Sequence, residues 1–183
     1  KIIRAGREIG DLQIECWALS KQGYAQLRLG KWDDAQTTLQ RAVELAKIVP
    51  NRTMEIEAGR VLGQIYLYRG EFTQALQTLH TCQKINADHP EGWGIREWLA
   101  NAIAEAYITM AEQSLNDTEK RNWLAKAGGA CRNAIKQGRT DHRTTPEAMR
   151  LQGTYEWLNG HLSVAQKLWQ HSIAQAEKMG QRY

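Results

Sequence analysis

The chain has 183 residues, of which 42% are hydrophobic and 24% are charged, and this balance excludes a generally disordered protein. The 24 Lys and Arg residues only mildly exceed the 20 Asp and Glu residues, so net charge alone favours no class of partner. The three cysteines form no pair motif, which favours a reducing, cytoplasmic compartment. No apolar run approaches the roughly 18 residues that a membrane span needs.

Helix signals run through the whole chain, and runs rich in Val, Ile and Thr that would indicate strands are missing. Pro90 and Pro146 each stand at a first helical position with an acidic residue behind them, and Asn116 has the position of a helix cap. We therefore predict an all-α fold. The predicted helices cover residues 2–9, 12–29, 32–48, 53–69, 72–85, 90–115, 118–137, 146–159 and 162–179.

The sequence repeats itself with a period of 40 residues, and the same pattern returns near the C-terminus. Each copy has two glycines seven residues apart, then a Trp, Phe or Leu, then an Ala. The copies are Gly23, Gly30, Trp32 and Ala35; Gly63, Gly70, Phe72 and Ala75; and Gly153, Gly160, Leu162 and Ala165. Three copies in one register indicate a structural repeat.

Each element of this pattern has a mechanical interpretation. The first glycine lies within a helix, where it costs about 1 kcal/mol relative to Ala, so it predicts the close approach of a second helix. The second glycine supplies the left-handed backbone that ends a helix. The Trp, Phe or Leu begins the next helix and is expected to fill the gap inside a helical hairpin. Such hairpins cannot bury their apolar faces alone and must stack.

The pattern resembles the tetratricopeptide repeat, a helical hairpin with small residues at three fixed positions. Those residues here are Gly23, Ala35 and Ala42; Gly63, Ala75 and Cys82; and Gly153, Ala165 and Ser172. The resemblance implies a right-handed superhelix of stacked antiparallel hairpins. The 40-residue period, against the usual length of about 34, implies longer helices. Similar long repeats form the arrays of multidomain signalling ATPases, maltose-regulator-type activators and nucleotide cyclases.

The resemblance divides the chain into hairpin units, one of which is irregular. Residues 1–10 are interpreted as the end of a preceding unit, and further units follow at 11–50, 51–89, 90–144 and 145–183. The unit at 90–144 is longer because Cys82 and Ala134 are separated by 52 residues instead of 40, and its first helix lacks the paired glycines. Both ends of the sequence are expected to lie inside an array that continues.

Signals for catalysis are missing from the sequence. No nucleophile motif occurs, His80 and Cys82 lie on different sides of a helix, and Gly30-Lys31 lacks the glycine spacing of a phosphate loop. We predict that the chain is not an enzyme and has no catalytic residue, cofactor or metal site.

The resemblance implies a non-catalytic interaction or regulatory module that binds a protein or peptide in a concave groove. The partner could be a domain of the same parent chain. The residues carried over to the groove are Trp17, Ser20, Tyr24, Leu27 and Arg28; Glu57, Arg60, Gln64, Leu67 and Tyr68; and Glu147, Arg150, Thr154, Trp157 and Leu158. The binding candidates among them are Tyr24, Arg28, Arg60, Gln64, Tyr68, Arg150, Thr154 and Trp157. The alternative is a small-ligand sensor of a transcriptional or ATPase regulator.

A basic segment at residues 120–143 has a net charge of +6. Three interpretations stay open: a solvated helix face, a docking patch for an acidic partner, and a nucleic-acid site. Trp123 is the only aromatic residue there, too few for a platform on which bases stack, so nucleic acid is the least favoured partner. The patch candidates are Lys120, Arg121, Arg132, Lys136 and Arg139.

The tryptophans are divided between core and groove. Trp157 follows a glycine within a helix by four residues and is predicted to face the groove. The others with helical apolar spacing are predicted to lie in the core, namely Trp17, Trp32, Trp98, Trp123 and Trp169.

Overall fold

The structure is a computed structural model that describes residues 10–49, 51–88 and 95–181. Every regular element in those ranges is helical, so the predicted all-α fold is confirmed. The helices are α1 (Leu12–Arg28), α2 (Trp32–Ile48), α3 (Arg52–Tyr68), α4 (Phe72–Asp88), α5 (Ile95–Gln113), α6 (Asp117–Gly138), α7 (Thr145–Leu158) and α8 (Leu162–Lys178), with a 3-10 turn at His142–Thr144. The predicted helix at 2–9 lies outside the described residues, as does the start of the helix predicted at 90–115.

The chain divides into two compact units, Lys1–Ile95 and Arg96–Tyr183, which we call unit 1 and unit 2. In unit 1, consecutive helices from α1 to α4 pack against each other, and α1 also contacts α3. One core joins α1, α2 and α3, with fully buried Leu39, Leu45 and Ile65 at its centre. Each helix therefore buries its apolar stripe against its neighbours in the chain.

Unit 2 contains α5, α6, α7 and α8. Alanines of α5 and α6 pack with Leu151 of α7 in one core, and α8 packs against α7. The 3-10 turn is fixed to α5 by Asn101, whose side-chain amide donates to the Thr144 carbonyl at 3.1 Å. Thr140 reinforces this contact by donating its hydroxyl to Glu97 Oε1 at 2.5 Å.

The glycine that ends the first helix of each regular hairpin has the predicted left-handed backbone. Gly30, Gly70 and Gly160 have φ of 73°, 76° and 81°. The backbone amide of the residue after the glycine then bonds back across the turn, as when Lys31 N donates to Gln26 O at 2.9 Å. Such a turn leaves the chain ready to begin an antiparallel helix at once.

The glycine within each first helix lies against a side chain of the second helix of the hairpin. A Cβ atom on Gly23 would be 2.4 Å from Leu39 Cγ, and one on Gly63 would be 2.8 Å from Leu79 Cγ. On Gly153 it would be 2.5 Å from the Trp169 ring nitrogen. The predicted close approach is confirmed in all three hairpins, since no side chain fits at these positions.

The repeat contains a cap that sequence inspection missed. Asp11, Asn51 and Asp141 occupy equivalent places, and each side chain accepts a hydrogen bond from the backbone of the helical turn that follows. Their spacings of 40 and 90 residues match those of the repeat, so the cap was visible in the sequence.

The residues that begin the second helices do not fill the hairpins. Trp32 is 43% exposed and Leu162 is 62% exposed, so that prediction is wrong for both. The glycine and alanine contacts already close the space between the helices, and the first residue of α2 or α8 lies outside it.

Trp17 is also 43% exposed, so its predicted place in the core is wrong as well. Trp98, Trp123 and Trp169 are partly buried.

Candidate interaction surfaces

Two neighbouring helices of unit 1 present an aromatic and charged surface, which we call the α1/α3 face. Its α1 residues are spaced by three or four positions and therefore share one side of the helix. The α1/α3 face consists of Trp17, Lys21, Tyr24 and Arg28 from α1 and Glu57, Arg60, Gln64 and Tyr68 from α3. The α1 members and Tyr68 are exposed, while Glu57 and Gln64 are half-buried.

Lys21 connects the two helices of the α1/α3 face. Its ammonium group forms an ion pair with Glu57 and lies 6.0 Å from the centre of the Trp17 ring. The exposed part of the Trp17 ring therefore lies beside charges of both signs. Aromatic rings in such surroundings provide both apolar contact area and a surface for cations.

Arg60 is the buried member of the α1/α3 face, with 8% exposure. Its guanidinium donates to Gln64 Oε1 at 2.9 Å. Burial lowers the pKa of Arg60, while Glu57 and the Tyr24 and Tyr68 hydroxyls act in the opposite direction. Arg60 therefore supports its neighbours from below, whereas Tyr24, Arg28 and Tyr68 are the predicted candidates that a partner can reach.

In unit 2, Arg150 is the centre of an ion-pair network between α5 and α7. It binds Glu147 with two hydrogen bonds, of 2.9 Å and 2.6 Å, and its Nη2 lies 3.7 Å from Glu105 Oε1. The Arg150 carbonyl accepts a hydrogen bond from the Thr154 hydroxyl at 3.1 Å. These contacts engage Arg150 and Thr154 within the unit, and Trp157 is the more exposed of the three predicted candidates on α7.

Glu105 was not identified from the sequence. The irregular length of the segment between Cys82 and Ala134 leaves α5 without a register, so no residue of that helix could be carried over. The contact of Glu105 with Arg150 now places it beside α7. A glutamate in the middle of a helix otherwise rich in alanine is the signal that could have marked it.

The five candidates of the basic patch do not all lie together. Arg121, Arg132, Lys136 and Arg139 fall within a sector of about 60° around the axis of α6 and are exposed. We call these four residues the basic stripe. Lys120 points away from it by about 100° and is partly buried. It lies on the side of Glu112, where burial raises the pKa of that carboxyl and the charges of Arg150 and Lys120 act in the opposite direction.

The ring of Trp123 in α6 already contacts other side chains of the protein. Its ring stacks on Tyr107, with the ring centres 6.0 Å apart, and the Lys126 ammonium lies 4.3 Å from the ring centre. The indole nitrogen donates to Glu119 Oε1 at 3.3 Å. The one aromatic ring that α6 carries is therefore occupied by contacts within the protein itself.

Residues 14–85 match a family model described as tetratricopeptide repeat. This range covers almost all of α1 to α4, the helices with the regular glycine contacts. Residues 14–85 are tetratricopeptide repeats. No curated protein matches the chain. Repeats of this family are in general non-catalytic modules that mediate protein–protein interaction.

The α7/α8 hairpin of unit 2 repeats the contacts of the first tetratricopeptide hairpin. Cys16 donates its thiol to the Ala42 carbonyl at 3.3 Å, and Ser172 donates its hydroxyl to the Pro146 carbonyl at 2.7 Å. Each bond joins residues 26 positions apart, at the same two places of the hairpin. The donor is on the first helix in one hairpin and on the second helix in the other, so the contact is kept while its direction reverses.

Three groove positions carried over from the tetratricopeptide family belong to the core. Ser20, Leu27 and Leu67 are buried, and the Ser20 hydroxyl donates to the Cys16 carbonyl at 3.0 Å. A position assigned from the repeat alone can therefore fall in the core instead of on the surface.

Cys16, Cys82 and Cys131 are buried free thiols. Burial is the main cause that raises the pKa of Cys82 and of Cys131 to about 12, so both stay protonated at neutral pH.

Within the described ranges, no three His, Cys, Asp or Glu side chains come together as a metal site would require. None of the described helices has the length and apolarity that crossing a bilayer demands.

Proposed function

We propose that the chain is a non-catalytic scaffold or regulatory module that binds a peptide or a helix of a partner protein on the α1/α3 face. The observation that supports this most directly is the exposure of Trp17, Tyr24 and Tyr68 on adjacent helices of a tetratricopeptide hairpin pair. Large aromatic side chains bury much apolar area and dominate the binding energy of protein interfaces. Small residues, by contrast, occupy the helix contacts inside the hairpins.

The polar residues of the α1/α3 face support the aromatic ones in two ways. The Lys21–Glu57 ion pair and the Arg60–Gln64 hydrogen bond hold α1 and α3 side chains in place before a partner arrives. Such preorganisation reduces the entropy that binding costs. Lys21 and Arg28 also favour a peptide with acidic residues next to its apolar ones.

A regulatory or signalling role and a cytoplasmic location are further parts of this proposal. The first is supported by the resemblance of the 40-residue repeat to regulatory arrays. The second is supported by the free thiols of Cys16, Cys82 and Cys131, which are typical of a reducing compartment.

The chain offers a matched pair of residues for testing the α1/α3 face. Trp17 and Trp32 are both 43% exposed, but only Trp17 lies on the α1/α3 face. Peptides selected from a random displayed library on the whole chain would be measured against Trp17→Ala and Trp32→Ala by fluorescence anisotropy. We expect Trp17→Ala to weaken binding by about tenfold or more, and Trp32→Ala to change it little.

Two results would contradict the proposal. One is equal binding of the selected peptides to Trp17→Ala and to the unchanged chain. The other is a loss of binding in Trp32→Ala that matches the loss in Trp17→Ala, since that would place the interaction elsewhere. Thermal melting of both variants checks that each remains folded.

A further inference from the structure

The basic stripe forms a line of cations along one side of α6. From Arg121 to Arg139 it extends over about 27 Å of the helix axis, at a rise of 1.5 Å per residue. Arg132 and Lys136 lie between them, toward the C-terminal half. The line lies on the second helix of its hairpin in unit 2, whereas the α1/α3 face lies on first helices in unit 1.

The four cations form no ion pair with any described residue, and this sets them apart from other arginines of the chain. Arg52, Arg69, Arg143 and Arg150 each bind a carboxylate. The acids of α6 are Asp117 and Glu119, both in its first turn. Positive charge along the rest of the stripe is therefore not compensated within α6.

On the side of the basic stripe, the helix surface between Arg121 and Arg132 carries only small residues. Ala125 and Gly129 are exposed there, one turn apart. A Cβ atom on Gly129 would meet nothing within 4 Å, so no internal contact requires a glycine at this position. A glycine within a helix costs about 1 kcal/mol relative to Ala, and here the fold gains no packing in return. Because these residues have no side chain or only a methyl group, another chain could approach the backbone of α6 closely here.

We infer that the basic stripe docks an acidic segment of a partner protein, which lies over Ala125 and Gly129 between the cations. Charge complementarity identifies the occupant, because Asp and Glu side chains would supply the counter-charges that no residue in the described part of the chain supplies. Nucleic acid fits less well, since Trp123 is covered by Tyr107 and Lys126 and offers no ring for a base. The docking is independent of the α1/α3 face.

The test uses the whole chain and a labelled peptide of Glu and Ala with about 18 residues, which as a helix spans about 27 Å. The same peptide with Gln in place of Glu is the control probe. Binding is measured by anisotropy at low and at physiological salt. We expect the Glu peptide to bind at low salt, to weaken as salt rises, and to bind better than the Gln peptide.

Charge-reversal variants locate the interaction. The double variant Arg132→Glu/Lys136→Glu should weaken binding by about tenfold. Its matched control is Lys167→Glu/Lys178→Glu, which makes the same change of net charge in unit 2 on α8. In each pair the second residue lies in the last turn of its helix, so effects on the helix end are matched too. The control should retain nearly full binding.

Gly129→Leu tests where the segment lies without changing any charge. If the segment crosses α6 at Gly129, the leucine side chain should weaken binding several-fold while the melting temperature stays equal or rises. Unchanged binding would overturn this placement. Equal losses in the two double variants, or tighter binding of single-stranded or duplex oligonucleotides than of the Glu peptide, would overturn the docking of an acidic protein segment.

Discussion

The regular hairpins and the α5/α6 hairpin use glycine in opposite ways. In α1/α2 and α3/α4, the glycine within the first helix touches a leucine of the second, as Gly23 touches Leu39. In α5/α6 the first helix is free of glycine, and the second contains the adjacent pair Gly128 and Gly129. Gly128 lies under Tyr155 of the following helix, and Gly129 faces open space.

This difference shows that the same residue type has different consequences for stability according to its surroundings. A glycine beneath a buried leucine is required, because any side chain would displace a neighbour that cannot move. A glycine in open space only weakens its helix. Substitutions at these positions should therefore change the free energy of unfolding with opposite signs, and they provide the means to test the comparison.

The largest effect is expected at Gly23. Gly23→Leu should lower the free energy of unfolding by about 3 kcal/mol, because the new side chain would occupy the space of fully buried Leu39. Urea denaturation measures the change. Ala25→Leu, on the exposed side of the same helix, is the control and should be nearly neutral. Similar loss in both variants would show that α1 packs differently.

A somewhat smaller loss is expected at the alanine contacts. Ala75→Leu and Ala35→Leu should each destabilise the chain by about 1–3 kcal/mol, since both alanines are completely buried between helices. Ala87→Leu, at an exposed position of α4, serves as the comparison in thermal melting. If Ala75→Leu melted like Ala87→Leu, the register of α3 against α4 would be wrong.

In α6 the sign should reverse. Gly129→Ala should stabilise the chain by about 1 kcal/mol, because it improves helix propensity and meets no neighbour. Gly128→Ala should gain less, because its Cβ would lie 2.7 Å from the Tyr155 hydroxyl and would force that ring to shift. Chemical denaturation of the two variants side by side gives the difference. An equal gain in both would show that Tyr155 does not press on Gly128.

The smallest effect concerns the cap that leads into α7. Arg143 donates hydrogen bonds to the Asp141 side chain and thereby lowers its pKa below that of an ordinary aspartate. A carboxylate with a lowered folded pKa stabilises the protein above the unfolded pKa, and this contribution is lost as pH falls through the folded value. Asp141→Asn keeps the cap oxygen but loses the charge, so we expect a loss of about 0.5 kcal/mol at neutral pH.

The pH dependence separates the charge from the cap. Stability of Asp141→Asn should vary less with pH below about 4 than stability of the unchanged chain. Asp141→Ala should cost more than Asp141→Asn at every pH, since it removes the cap oxygen as well. Parallel pH profiles for Asp141→Asn and the unchanged chain would mean that the Arg143 contact contributes nothing.

Helix ends were the part of the fold that local sequence signals predicted best. The helices predicted at 32–48 and 162–179 agree with α2 and α8 to within one residue. Their signals are a left-handed glycine before the helix and the loss of apolar period after it, both of which act over a few residues. The tetratricopeptide assignment likewise rests on spacings along the chain, and it is confirmed for residues 14–85.

Side-chain exposure was predicted less well, because it depends on which helix lies opposite. Trp17 and Trp32 have helical apolar spacing, yet no described helix covers them fully. Arg60 was expected on the surface, but α1 and α4 leave it buried beside Tyr24 and Cys82. Neither outcome follows from periodicity within one helix, since it is set by contacts between residues that are distant in the sequence.

The left-handed glycine turns have a consequence for how genes of this kind can change length. The turns at Gly30 and Gly70 have nearly the same φ and the same backbone bonds, with Glu71 N donating to Tyr66 O at 2.8 Å as Lys31 N donates to Gln26 O. Removing residues 31–70 would therefore place Glu71 directly after Gly30, in the place of Lys31, and leave one complete turn of the same shape. The shortened chain would set Leu79 opposite Gly23, in the place that Leu39 had left. A crossover between the two glycine codons can thus delete or duplicate a whole 40-residue period, and each remaining first helix would still pack against a second helix with a leucine opposite its glycine.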